Sequence, residues 1–259
     1  MKSLNDLYKE SCKPKCKSYK QISSHITLID NFFEDFDKAK DFFINREKWE
    51  CIPYQGYSKP GYESLFPSWI GKSLIEKYIL DNKINDDINF LNDDINFYNM
   101  SCNFFYHSID YIWSLSNSNY FPHIDGIENN NILGYICLIN LNKVPVSTKF
   151  YTYKNKEYCN SEILDEWNEY YKKSNNKLKE HYNKDNITRD EVKLFLDNQF
   201  LDIKLIKTLE YKPNQAIIYP TNLFHSPNLT QEFTKDNPRI LLRIVFNRKI
   251  IKPKNINYG

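Results

Sequence analysis

Three side chains of this sequence could together hold a divalent metal: His123, Asp125 and His225. The first two sit in "YFPHIDG", residues 120–126, two positions apart and just after a proline. A His-x-Asp pattern alone fits either a ligand pair or two polar residues that happen to be neighbours. In an extended segment, positions i and i+2 project from one side, so this stretch can offer two ligands at once. A third must come from elsewhere, and "YPTNLFHSPN" supplies His225 at the start of a late strand. Two imidazoles and one carboxylate on one face are the usual way to hold ferrous iron while leaving positions open. The histidines lie 102 residues apart (225 − 123), so they meet only if the sheet folds back on itself. His107, after an aromatic strand, reads as an ordinary side chain; His181 lies in the polar insertion and His25 near the flexible start.

Downstream, Arg239 opens "RILLRIVF", and Arg243 follows on the same strand face. An arginine pointing into a β interior is costly unless it meets an anion. Its planar fork matches a carboxylate in bidentate fashion. A lone arginine opening a strand reads as a surface charge; behind His-x-Asp and a distal histidine, it reads as an anion site.

The elements that must position these groups can be read from periodicity. "HITLIDNFF" (25–33) is a strand running into a helix start, with Asp30 or Asn31 as cap for a helix that follows. Residues 51–67 read as loop, punctuated by three prolines, and 68–83 as a second helix. "DDINFLN" and "DDINFYN" (86–99) form a seven-residue tandem repeat. Two copies are too few for a solenoid, and an extended or hairpin segment is expected. From about residue 100 the sequence turns β-branched and aromatic. Strands are expected at 101–113, 132–142, 148–154, 201–211, 215–220, 223–228 and 239–247. Residues 161–198 read as a charged helical insertion with a solvated face. The class is α+β: N-terminal helices, then a mostly antiparallel sandwich or barrel, the jelly roll being one such form. Residues 1–24 read as a flexible lead-in and 25–259 as one domain.

Composition narrows the function classes. With 35 basic and 33 acidic residues the net charge is +2, which argues against a nucleic-acid partner. No apolar run approaches a membrane span, and the N-terminus lacks a signal-peptide core. An intracellular, soluble, cytoplasmic protein is expected. Of six cysteines only Cys12 and Cys16 are close, and no second pair completes a zinc site, so reduced thiols are expected.

The order His123-x-Asp125, His225, Arg239, on strands preceded by helices, resembles the Fe(II)/2-oxoglutarate-dependent oxygenases, and within them the prolyl-hydroxylase-like branch. "LIDNFF", "ICLINLNK" followed by "STKFYTYK", and "NQAIIYPTNLFHSPN" carry the likeness, which spans roughly residues 25–250 apart from the insertion. The resemblance implies a double-stranded β-helix with iron at one mouth. It implies that His123, Asp125 and His225 bind Fe(II) and that Arg239 binds the distal carboxylate of 2-oxoglutarate, with Arg243 as understudy. Asn140 falls where relatives often place a polar residue, commonly Tyr, reaching the same carboxylate. Val146-Ser147 stands where relatives often have Gly-Gly. Tyr120 and Trp113 are candidates for the pocket wall or for core packing. With O2 as co-reactant, the reaction implied is hydroxylation of a small molecule or peptide with release of succinate and CO2; Asp125 favours this over halogenation. A cupin-like metal enzyme and a non-catalytic binding protein on the same fold are the competing readings. Substrate identity and oligomeric state stay open.

Overall fold

A computed structural model describes residues 2–15, 18–51, 61–82, 95–107, 122–126, 132–182, 202–230 and 232–249, with a few positions between 188 and 198. In sequence order the elements are α1 (Leu4–Ser11), β1 (Ser18–Gln21), β2 (Thr27–Asp30), α2 (Phe36–Ile44), β3 (Trp49–Cys51), β4 (Gly61–Phe66) and α3 (Ser68–Asn82). Then follow β5 (Ile95–Phe105), β6 (Ile132–Asn140), β7 (Val146–Tyr153), α4 (Leu164–Tyr182), β8 (Ile203–Tyr211), β9 (Ala216–Pro220), β10 (His225–Pro227) and β11 (Arg239–Lys249). Eight strands form one sheet in the order β1-β2-β9-β6-β11-β5-β4-β3, and three form a second, β10-β7-β8. Every pairing among these strands is antiparallel. The path switches sheets four times, between β6 and β7, β8 and β9, β9 and β10, and β10 and β11, as strands of a jelly-roll sandwich do.

Three apolar layers follow from strand alternation. Between the sheets lie Ile136, Leu138, Phe150, Tyr211, Ile217 and Leu241. The far face of the large sheet buries Cys102, Phe104, Ile139 and Leu242 against Phe43 of α2 and Leu74 of α3. The outer face of the small sheet buries Tyr151, Tyr153 and Phe224 against Trp167 and Tyr170 of α4. The charged run at 161–182 therefore has a buried aromatic side as well as its solvated one. Trp167, 2% exposed, packs 4.6 Å from Phe224.

Three local expectations change. The lead-in forms α1 and β1. Ser3 Oγ accepts from the Asp6 N–H at 3.2 Å and the Asp6 carboxylate accepts from the Ser3 N–H at 3.2 Å, a capping box. Tyr8 then docks edge-on to Trp69, 5.3 Å away. The helix after β2 starts later than expected, with Asp35 rather than Asp30 or Asn31 as cap. Asn214 accounts for the delay: its carbonyl and side-chain oxygen accept from the Phe32 and Phe33 N–H groups, both at 2.8 Å, holding that segment off the helix. Residues 61–66, expected as loop, are β4. Gly61 makes this possible, since a Cβ there would sit 2.2 Å from the Phe104 carbonyl oxygen and 2.6 Å from Phe105 Cδ1. Trp113, Tyr120, Cys16 and most of the tandem repeat lie outside the described residues; β5 begins within the second copy. The five described cysteines are buried and none forms a disulfide. Among the described residues no helix is long and apolar enough to cross a membrane.

Candidate metal centre

The distant histidines meet through backbone pairing. His123 N–H donates to the His225 carbonyl at 2.9 Å and His225 N–H returns the bond at 3.0 Å, an antiparallel bridge that adds the "HID" segment beside β10. Asp125 N–H donates to the Thr221 carbonyl at 2.8 Å, fixing the next link. With the backbone tied at both points, the three side chains converge. One donor atom from each of His123, Asp125 and His225 lies within 4.8 Å of the other two.

The details fit a metal. His225 Nδ1 lies 2.8 Å from the Leu223 carbonyl. A carbonyl only accepts, so Nδ1 carries a proton, and in the neutral ring Nε2 then has the lone pair a ligand bond needs. Nε2 faces Asp125 Oδ2 at 3.2 Å. Bonds of about 2.1 Å to a shared ion put neighbouring donors about 3 Å apart, so this gap already suits one. Tyr219, 1% exposed, packs edge-on to the His225 ring at 4.9 Å and limits its rotation. The other Asp125 oxygen, Oδ1, accepts from Arg243 Nη2 at 3.1 Å. Burial pushes the Asp125 carboxyl up, but Arg243, then His225 and His123, outweigh it and hold the group well below the usual carboxylate range. A carboxylate kept ionised next to two imidazoles is what a divalent cation needs.

The trio opens onto a cavity of about 360 Å³, and Arg239, Arg243, Thr148, Leu138, Leu241 and Tyr171 also line it. Arg239 is 3% exposed. Its Nη2 donates to the Ser147 carbonyl at 2.9 Å, Tyr211 OH at 3.1 Å and Thr148 Oγ1 at 3.3 Å. Its Nε, fully buried, has no hydrogen-bond partner among the described residues. A buried guanidinium with neutral neighbours and one orphaned N–H is a site suited to an anion.

Two side chains expected to serve the cosubstrate sit as follows. Arg243 pairs with Asp125 of the trio. Asn140 does not line the cavity. Its Nδ2 donates to the Val144 and Tyr211 carbonyls at 3.0 and 3.1 Å, and its Oδ1 accepts from the Asn142 backbone at 2.8 Å. Its side-chain polar atoms are thus spent on the β6–β7 turn and the end of β8. The hydroxyl beside Arg239 comes instead from Tyr211 on β8. Tyr211 was readable only as the last buried position of an alternating Leu209, Tyr211 pair. Tyr171 of α4 was hidden in a stretch that reads as solvated; burial, then the Asp125 charge, raises its hydroxyl's pKa, so it stays protonated.

No curated protein matches this sequence. Among solved structures it is similar to SnoN, a non-heme alpha ketoglutarate dependent epimerase from nogalamycin biosynthesis, with a TM-score of 0.42 and 9% identity over 91% of this protein and 86% of that one. It is also similar to EvdO2 from Micromonospora carbonacea var. aurantiaca, solved with 2-oxoglutarate, with a TM-score of 0.42 and 9% identity over 92% and 97%. The carbocyclase SnoK gives a TM-score of 0.40 and 8% identity over 96% and 84%. Likeness of this strength says nothing about chemistry, which stands on the atoms of the site. The model of DUF6445, a family of unknown function, matches residues 10–240, nearly the whole length, and the protein belongs to that family.

Proposed function

We propose that this protein is an Fe(II)- and 2-oxoglutarate-dependent dioxygenase. It hydroxylates a peptidyl residue, an amino acid or a small metabolite, with release of succinate and CO2. One observation carries the reading: a two-histidine, one-carboxylate trio and a buried arginine with an orphaned N–H line the same cavity. His123, Asp125 and His225 would hold the iron, which with 2-oxoglutarate and O2 supplies the oxidising power. The protein's own work is positional. The Leu223 carbonyl orients His225 by holding its Nδ1–H. Arg243 holds Asp125 ionised. Arg239, which lines the cavity, would offer its guanidinium to the far carboxylate of the cosubstrate, with the Tyr211 and Thr148 hydroxyls beside it. Leu138, Leu241 and Ile124 keep water from the reacting end. A cupin-like hydrolase using the same trio would leave Arg239 with nothing to bind. Membership of the prolyl-hydroxylase-like branch and a cytoplasmic setting are parts of the same proposal, resting on the sequence segments and the thiol content already described.

The test is anaerobic titration with Fe(II) and 2-oxoglutarate, followed by the weak visible charge-transfer band of a chelated keto acid. The band is expected in wild type, absent in His225→Ala and weakened in Arg239→Ala. A wild type with no band and no more metal affinity than His225→Ala overturns the reading.

A further inference from the structure

The proposed function uses the trio and both arginines of β11 and leaves one wall of the cavity idle. That wall is built by β4 and β5 and carries Glu63, Asn99, Asn103 and Phe105. Register sets them in rows across the large sheet. Glu63 stands opposite Asn103, which stands opposite Leu241; Gly61 stands opposite Phe105, which stands opposite Arg239. Directly opposed residues share a face, so both rows look into the cavity.

The charges on the described cavity lining, Arg239 and Arg243 against Asp125 and Glu63, sum to zero but do not all pair. Arg243 and Asp125 pair with each other. Arg239, on the proposed function, is met by the cosubstrate's carboxylate. Glu63 is half-buried, and among the described residues no cation lies within ion-pair distance of it. A neutral guest sealing the cavity would desolvate this carboxylate with nothing in return, whereas a cationic one would compensate it. Its surroundings suit a cation too. Asn103 is 5% exposed and presents an amide directly opposite Glu63. The Phe105 ring lines the cavity one row away, close to β4 where Gly61 leaves room for it, and an aromatic wall suits a cation. Adjacent strands are about 4.8 Å apart, so Glu63 lies roughly 10 Å across the sheet from β11, whose Arg243 holds Asp125. Glu63 and the trio line one cavity, so a guest anchored at Glu63 shares that space with the trio. The cavity is near the lower end of small-molecule sites, about 300–1,000 Å³, which favours a single slim guest beside the cosubstrate.

We infer that the β4–β5 wall is the substrate subsite and that it takes a cationic guest, an ammonium or guanidinium on a short alkyl linker, with its head on Glu63 and Asn103. The chemistry rests on the proposed function, while the binding does not. In the reaction one oxygen atom of O2 enters an alkyl C–H bond of the guest as a hydroxyl. The other enters succinate as 2-oxoglutarate is oxidised and loses CO2.

Calorimetric titration of the full-length protein tests this with two matched pairs: lysine amide against norleucine amide, and arginine amide against citrulline amide. Each is run with and without Fe(II) and 2-oxoglutarate under argon. In wild type at least one cation is expected to bind about tenfold or more tighter than its neutral partner, the scale of one charge-assisted hydrogen bond. Glu63→Gln should reduce the preference to about twofold or less while the charge-transfer band is unchanged. Glu63→Asp, which keeps the charge, should retain part of the preference. Equal binding of cation and neutral partner in wild type, no binding of either, or a preference that survives Glu63→Gln overturns the inference. A preference abolished by Glu63→Gln in a protein that never shows the band upholds the cation subsite and sinks the oxygenase reading.

Discussion

Arg239 and Arg243 stand four residues apart on one face of β11, about 13 Å apart along the strand, yet they meet opposite environments. Arg239 is 3% exposed, surrounded by neutral oxygens, with one buried N–H unanswered among the described residues. The Arg243 side chain is 26% exposed and its anion, Asp125, is supplied by the protein itself. Depth separates the two. At the closed end a desolvated cation without a counter-ion is costly to keep, and a bound anion relieves that cost. At the open end the ion pair is complete, and the arginine touches the candidate metal trio through the carboxylate it holds.

The largest effect should come from breaking the metal trio. His225→Ala takes away one of three ligands and is expected to lower Fe(II) affinity by more than about 1,000-fold, read by anaerobic metal titration. Second, Arg239→Ala should weaken 2-oxoglutarate by roughly 100-fold or more, since truncating one partner of a buried charge pair costs about 2–5 kcal/mol. The same variant gives a second readout. In wild type, 2-oxoglutarate at about 100 times its Kd should stabilise the fold by about 2.7 kcal/mol and raise Tm; in Arg239→Ala the same concentration should leave Tm almost unmoved. Third, Arg243→Ala should cost about 10- to 100-fold in metal affinity, the range for lost partners of a ligand, with 2-oxoglutarate affinity little changed once metal is saturating. An equal loss of both affinities in both arginine variants would erase the distinction between the two ends. The smallest functional effect is expected at Asn140, which lies opposite Leu241 between the two arginines. Asn140→Ala should lower stability by about 1–3 kcal/mol, because buried carbonyl and amide groups lose their partners. Cosubstrate affinity should stay within about twofold, and a larger loss would return Asn140 to the anion site.

The parts of the site that were legible in the sequence are those that local geometry governs. His123 and Asp125 sit at i and i+2 on an extended segment, and Arg239 and Arg243 at i and i+4 on a strand; the two-residue period alone puts each pair on one side. The β6, β7, β9 and β11 runs were equally plain, because apolar and β-branched positions repeat at strand spacing. Asp35 as the true helix cap was not legible, since the competing bonds to Phe32 and Phe33 come from Asn214, 181 residues after Phe33. Nor was β4, whose pairing depends on a glycine letting another strand approach.

Residue type and periodicity therefore determined which side chains could do chemistry and which face each would take. Partners were a matter for the tertiary structure alone. The sequence contained His225, Asp125, Arg243, Tyr211, Asn140 and Glu63. It did not contain that the first three would interlock, that Tyr211 would stand beside Arg239, or that Asn140 would be spent on a turn. Nor did it contain that Glu63 would face the cavity with no cation beside it among the described residues. Alternation along a strand specifies a face. The neighbour across that face depends on register and on which sheets fold over each other, and those are set by contacts between segments far apart in the sequence.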